Sequence, residues 1–193
     1  MINLLYEPFP ETVFADGIIY PVRTDFRQWM HFADVISEKE ITEEKKCYCM
    51  ANLLKRPEQK LTEHVINALF DFYHARALEP DSSEDDEEEC QQERPVRPPV
   101  FDWKFDGKYI LADFRRYYAI NLLSVNYLHW WEFRTLFFAL PDESHCQKRI
   151  NYRSADLSKI PNDAERKRVA RIQKAFALPF ELDDNMIGDI FRE

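Results

Sequence analysis

Between Leu128 and Leu140 the chain leaves a helix almost no polar side. Leu128, Trp130, Trp131, Phe133, Leu136, Phe137, Phe138 and Leu140 spread around the full turn. A helix that is apolar nearly all round is buried, or it serves two interfaces at once. The rest of the chain must therefore supply elements to cover it. Just upstream, Ile110, Asp113, Phe114 and Tyr117 fall in steps of three and four, the spacing of one helical face. Only three glycines occur, which argues against a turn-rich all-β fold and against a phosphate-cradling loop. A hydrophobic content of 45% is ample for the core these segments demand.

The paired tryptophans divide the segment. Adjacent helical positions point about 100° apart, so Trp130 and Trp131 face different ways. Leu128, Trp131, Thr135 and Phe138 make one row, and Trp130, Phe133, Phe137 and Leu140 the other. Thr135 makes the first row the less apolar. This assigns Trp130 to the core and Trp131 to a surface groove. Because Trp and Arg dominate binding hot spots, Trp131 and Arg134 are candidate partner-binding residues.

The chain opens with Glu11 to Ala15 and Ile18 to Val22 around Asp16-Gly17, which reads as a β-hairpin, since a two-residue turn needs positive φ at both centres. Pro21 places the second strand at an edge. The hairpin is a structural lid or, alternatively, an edge that pairs with another subunit. Thr24 is the expected cap of a helix striped by Phe26, Trp29, Ala33 and Ile36. Thr42 caps a second carrying Met50, Ala51 and Leu54, and Thr62 a third with Val65, Leu69 and Phe72 inside.

Charge is concentrated in one place. Residues 79–93 hold nine acids and no base, although the whole chain carries only −9. The prolines at 95, 98 and 99 follow. Like charges repel and prolines block helix, so 79–99 reads as a disordered acidic insertion: a solvated linker or, alternatively, a cover for a basic surface. Such a surface is offered near the end, where Lys148, Arg149, Arg153, Lys159, Arg166, Lys167, Arg168, Arg171 and Lys174 face only three acids. A helix over roughly 162–177 places Glu165, Val169, Ile172 and Phe176 on one side. Arg166, Arg168 and Arg171, on the other, are either a solvated face or candidate contacts for an acidic partner. Nucleic acid is disfavoured, because the body is neutral and no aromatics interleave with the bases.

Catalytic and metal motifs do not emerge. Cys47 and Cys49 sit too close for a usual zinc pair. His64, Asp71 and His74 lack a second ligand helix. His129 reads as a packed or capping histidine. His145 and Cys146 face different ways on a helix. No secretory signal or membrane span is visible, and four scattered cysteines suit free thiols in a reducing cytoplasm.

Several stretches together resemble one family. They are Thr24-Asp25-Phe26-Arg27, Ile120-Asn121-Leu122, Leu128 to Leu136, Leu140-Pro141, Ile150-Asn151-Tyr152-Arg153 through Ile160, and Ala175 to Pro179. The set is similar to the bacteriophage gp-fifteen family of phages and prophages of Gram-positive bacteria. The resemblance implies a place among tail genes, beside the tape-measure gene. It therefore implies a tail-assembly role in the host cytoplasm, as a non-enzymatic chaperone that binds the tape-measure protein. The alternative is a structural tail or connector protein retained in the virion. It brings no catalytic residue, cofactor or metal. Other tail proteins as partners, and a homo-oligomer, are left open.

The expected architecture is mainly α, a helical bundle with an N-terminal β-hairpin and the acidic insertion. Residues 1–78 hold the hairpin and three helices, and 79–99 the linker. Residues 100–180 form an aromatic-rich segment packing with the first part as one domain, and 181–193 a mobile tail.

Overall fold

The structure is a computed structural model that describes residues 6–56, 60–78 and 99–179. The acidic segment, apart from Pro99, and the tail expected at 181–193 lie outside the described residues. The fold is mainly helical with a short N-terminal antiparallel hairpin, as the sequence leads one to expect. Seven α-helices occur among the described residues. Contacts divide the chain into two compact units, one within Met1–Ser83 and Ser124–Ala139, the other within Glu84–Leu123 and Leu140–Glu193. The apolar segment, up to Ala139, thus belongs with the N-terminal unit.

In that first unit β1 (Thr12–Ala15) pairs with β2 (Ile18–Pro21), Val13 facing Tyr20 and Phe14 facing Ile19. Asp16 and Gly17 both take positive φ, 51° and 76°, the left-handed conformations that the two-residue turn requires. Val13, Ala15 and Tyr20 are buried, while Phe14, Ile18 and Ile19 point outward. Beyond β2, Val22 bridges Leu54. The Lys55 amide donates to Pro21 O at 2.8 Å and the Arg23 amide to Leu53 O at 2.7 Å.

Three helices follow. Helix α1 spans Phe26–Ser37. Its cap is Asp25, whose side chain accepts from the Arg27 amide at 3.0 Å, and not the expected Thr24. The Thr24 hydroxyl is engaged elsewhere, 2.7 Å from the Tyr127 hydroxyl. The buried stripe is Phe26, Trp29 and Phe32, where Ala33 and Ile36 were expected to complete it. Bulk decides between neighbouring positions: Phe32 fills space between Trp29, Phe70 and Tyr73 that an alanine would leave empty. Helix α2 spans Glu43–Ala51 and α3 spans Glu63–His74. Thr62 caps α3 through the Val65 amide, and Val65, Leu69 and Phe72 are buried as the periodicity requires. Thr42 occupies the corresponding position of α2 without a side-chain bond to it. Leu54 is buried beyond the end of α2, beside Val22.

The second unit holds α4 (Trp103–Tyr117), α6 (His145–Ser154) and α7 (Asp163–Phe176). Helix α5 (Trp130–Phe138) returns to the first unit. Asp102, Ser144 and Asn162 cap α4, α6 and α7 with side-chain oxygens. Ile110, Asp113 and Phe114 are buried on α4 as the spacing predicts, with Asp106 one turn before them, while Tyr117, the fourth residue expected on that face, is only partly buried.

Candidate partner-binding surfaces

Helix α5 is fixed by its own cap. The His129 ring takes the Trp131 amide at Nδ1, 3.0 Å away, while its Nε2 lies 3.1 Å from Pro10 O. Nε2 must therefore carry the proton and donate to the carbonyl, leaving Nδ1 free to accept. Burial holds the imidazole below its ordinary pKa, against the opposing pull of Pro10 and Glu11. His129 is thus both a packed and a capping histidine, stacked on Phe9 at 4.8 Å.

Both tryptophans are buried. Trp130 lies among Trp29, Tyr73 and Phe133, at centroid distances of 6.5, 5.3 and 5.7 Å, and its indole N–H donates to Tyr73 O at 2.9 Å. Trp131 is only 2% exposed. Its indole donates to Phe72 O at 2.8 Å, and its ring lies 5.2 Å from that of Phe72. The assignment of Trp131 to a surface groove, as the less buried of the pair, is therefore corrected: its ring is covered by α3. One edge of the residue still reaches a hollow of about 230 Å³, shared with Thr12, Phe14, Ala68, Phe72 and Ala77.

Arg134 remains at the surface. Its guanidinium donates to His74 O at 3.0 Å and sits over the rings of Tyr73, Trp130 and Phe138, 5.2 to 5.9 Å away. The ring faces attract the cation and hold it. Phe138 is half exposed beside it, so Arg134 and Phe138 form an aromatic-cationic corner at the end of α5.

A larger feature escaped the sequence reading. Between α1 and α2 lies a cleft of about 430 Å³. Val35, Ile41, Tyr48 and Leu53 give it apolar walls, and Arg23, His31 and Lys45 line it without any carboxylate. Tyr48 is 73% exposed. The signal was faint because the lining comes from two helices, the loop between them and residues just outside both, not from one periodic stripe.

Arg166, Arg168 and Arg171 stand on α7 in the other unit. Arg166 and Lys167 both meet Asp163, at 2.7 and 2.8 Å, and Arg168 meets Glu165 at 2.6 Å. These partners hold the Asp163 and Glu165 carboxyls below their usual range. Much of the basic face is thus paired along its own helix. Arg171 stays exposed with no ion pair among the described residues.

Arg153 does not belong to that surface. It is buried with Asp106, its two terminal nitrogens meeting the two carboxylate oxygens. Its Nε donates to Phe176 O at 2.7 Å and a terminal nitrogen to Val100 O at 3.1 Å. The pair joins α4, α6 and the end of α7. Arg149 is likewise engaged, stacked over Tyr109 at 3.3 Å and Phe176 at 4.7 Å. Burial opposes ionisation of the Tyr109 phenol, yet Arg149 and Lys108 together hold it below its usual range. Asp113, fully buried, accepts the Cys146 amide at 2.8 Å. Burial, reinforced by Asp113, pushes the Cys146 thiol far up, so that thiol is unreactive.

No group of three metal-ligating side chains occurs among the described residues, and His64 instead contacts Asp16. No helix among them is long and apolar enough to cross a membrane. The model of the bacteriophage Gp15 protein family matches residues 5–178. The chain belongs to that family. It is a phage protein, and the Gp15 match takes in every helix described above. Neither a curated protein nor a solved structure matches the chain.

Proposed function

We propose that this Gp15-family protein is a non-enzymatic tail-assembly chaperone that binds the tape-measure protein in the host cytoplasm. The observation that carries the reading is the α1/α2 cleft, open and apolar-walled, with Arg23, His31 and Lys45 in its lining and no carboxylate. Such a groove accepts one face of an amphipathic helix, and an acidic flank on that helix answers Arg23, His31 and Lys45. A long helical client needs its apolar stripe covered until tube subunits replace the cover. The Arg134–Phe138 corner is a second contact of the same chemical kind on the same unit.

Co-expression with the tape-measure protein tests this reading. The full chain is expected to keep the client soluble and to co-purify with it. Ile41→Asp with Tyr48→Asp should abolish both effects while the variant still folds, because Tyr48 stands out in solvent. A client that is equally soluble with the variant, or without the chain at all, overturns the proposal.

A further inference from the structure

On the second unit, beside the buried Arg153–Asp106 pair, lies a hollow of about 280 Å³ whose charges do not balance. Lys108, Tyr109 and Arg149 line it together with Phe105, Phe176 and Leu178. The one carboxylate in its lining, Asp106, has both oxygens committed to Arg153. Lys108 and Arg149 are left over. The Lys108 ammonium lies 5.0 Å from the centroid of the Tyr109 ring and the Arg149 guanidinium 3.3 Å from it. Arg149 also donates to His145 O at 3.2 Å. Aromatic faces hold cations without neutralising them. Neither cation has an ion pair among the described residues. The Tyr109 phenol registers the excess: burial opposes its ionisation, yet the two cations outweigh burial.

We propose that this hollow binds a peptide segment of another protein, through a carboxylate with an apolar side chain next to it. The carboxylate meets Arg149 through the in-plane donors of the guanidinium, which the ring contacts leave uncovered, and Lys108 supplies the second charge. The neighbouring apolar side chain covers Phe105, which is 51% exposed, and lies against Phe176 and Leu178. A free phosphate would meet the same two cations and leave those apolar walls in water. The chain's own acidic run is the poorer fit for the same reason. Residues 79–93 hold nine acids but no aromatic or branched aliphatic side chain. The hollow lies on the other unit from the α1/α2 cleft and does not rest on the client proposed for it.

Amide NMR of the full-length chain, titrated with acetylated tetrapeptide amides that carry one Glu flanked by Phe or Leu, tests it. The amides of Gly107, Lys108, Tyr109 and Arg149 are expected to shift and saturate, less readily as salt rises. Gln in place of the peptide's Glu should weaken binding at least about tenfold, the effect of losing one charge-assisted bond. Lys108→Gln, at an exposed position that spares the fold, should weaken the Glu peptide and leave the Gln peptide unchanged. Arg149→Lys, which keeps the charge and loses the planar donors, should weaken it as well. The proposal fails if the Glu and Gln peptides bind alike, or if the shifts fall outside α4 and α6. It fails too if a Glu flanked by Gly, or inorganic phosphate, binds as tightly, since the hollow would then be an anion site alone. Replacing the six acids of residues 84–89 by their amides should leave the affinity unchanged. A tenfold gain would show that the chain's own segment fills the hollow and would overturn the proposal.

Discussion

Replacing Arg153 with Met removes the positive half of a buried ion pair and leaves its partner in place. Asp106 is 4% exposed. Without Arg153 the carboxylate keeps one bond, from the Asp102 amide at 3.1 Å, and loses its counter-charge. Phe176 O and Val100 O lose their donor in the same step. Breaking one side of such a pair costs about 3–5 kcal/mol, since a charge is left uncompensated inside the protein. For a chain of this size that is roughly 6–20 °C in melting temperature, at about 2–4 °C per kcal/mol. Removing both charges, as in Asp106→Leu with Arg153→Met, should restore part of the loss, because only neutral carbonyls and one amide are then orphaned. Thermal unfolding by circular dichroism reads the size of the effect. Hydrogen exchange along α4, α6 and α7 assigns it to that unit. A cost below about 1 kcal/mol for Arg153→Met would place the pair with ordinary surface bridges and refute the reasoning.

Four further outcomes follow from the same geometry. Trp130→Ala and Trp131→Ala should each cost about 3–5 kcal/mol, both rings being buried and both indoles bonded; urea unfolding that spares only one of them would contradict this. His129 takes up its proton less readily folded than unfolded, so the stability it contributes is full above about pH 6.5 and declines as pH falls below it. The urea midpoint should drop between pH 7.5 and 5.5, and His129→Asn, which keeps a capping side chain, should flatten that dependence. Gly17→Val forces a β-branched residue to a φ of 76° and should cost at least about 1–2 kcal/mol, read as a loss of melting temperature. Ser144→Ala removes the cap of α6 and should cost about 0.5–2 kcal/mol in the same assay.

What was legible in the sequence was local. Asp16-Gly17 gave away the hairpin because few dipeptides satisfy its turn, and α3 followed from Thr62 and the spacing of Val65, Leu69 and Phe72. The capping role of His129 was readable from its place before an apolar run. Properties that depend on distant elements were not. Trp131 and Trp130 differ by a threonine in their rows, but α3 covers both, and no count along α5 records that. Arg153 looked like one base among many because Asp106, its partner, is 47 residues away. The α1/α2 cleft arises where separate elements meet, so it has no motif. The basic face of α7 was readable as composition, whereas its pairing with Asp163 and Glu165 needed the helix geometry.

Quantitative mass spectrometry of purified phage particles, set against lysates of cells assembling them, tests the central functional claim most directly. A chaperone for the tape-measure protein should be abundant in the lysate and essentially missing from the finished particle. Its presence in the particle at a fixed ratio to tail-tube subunits would contradict the account and establish a structural tail protein instead.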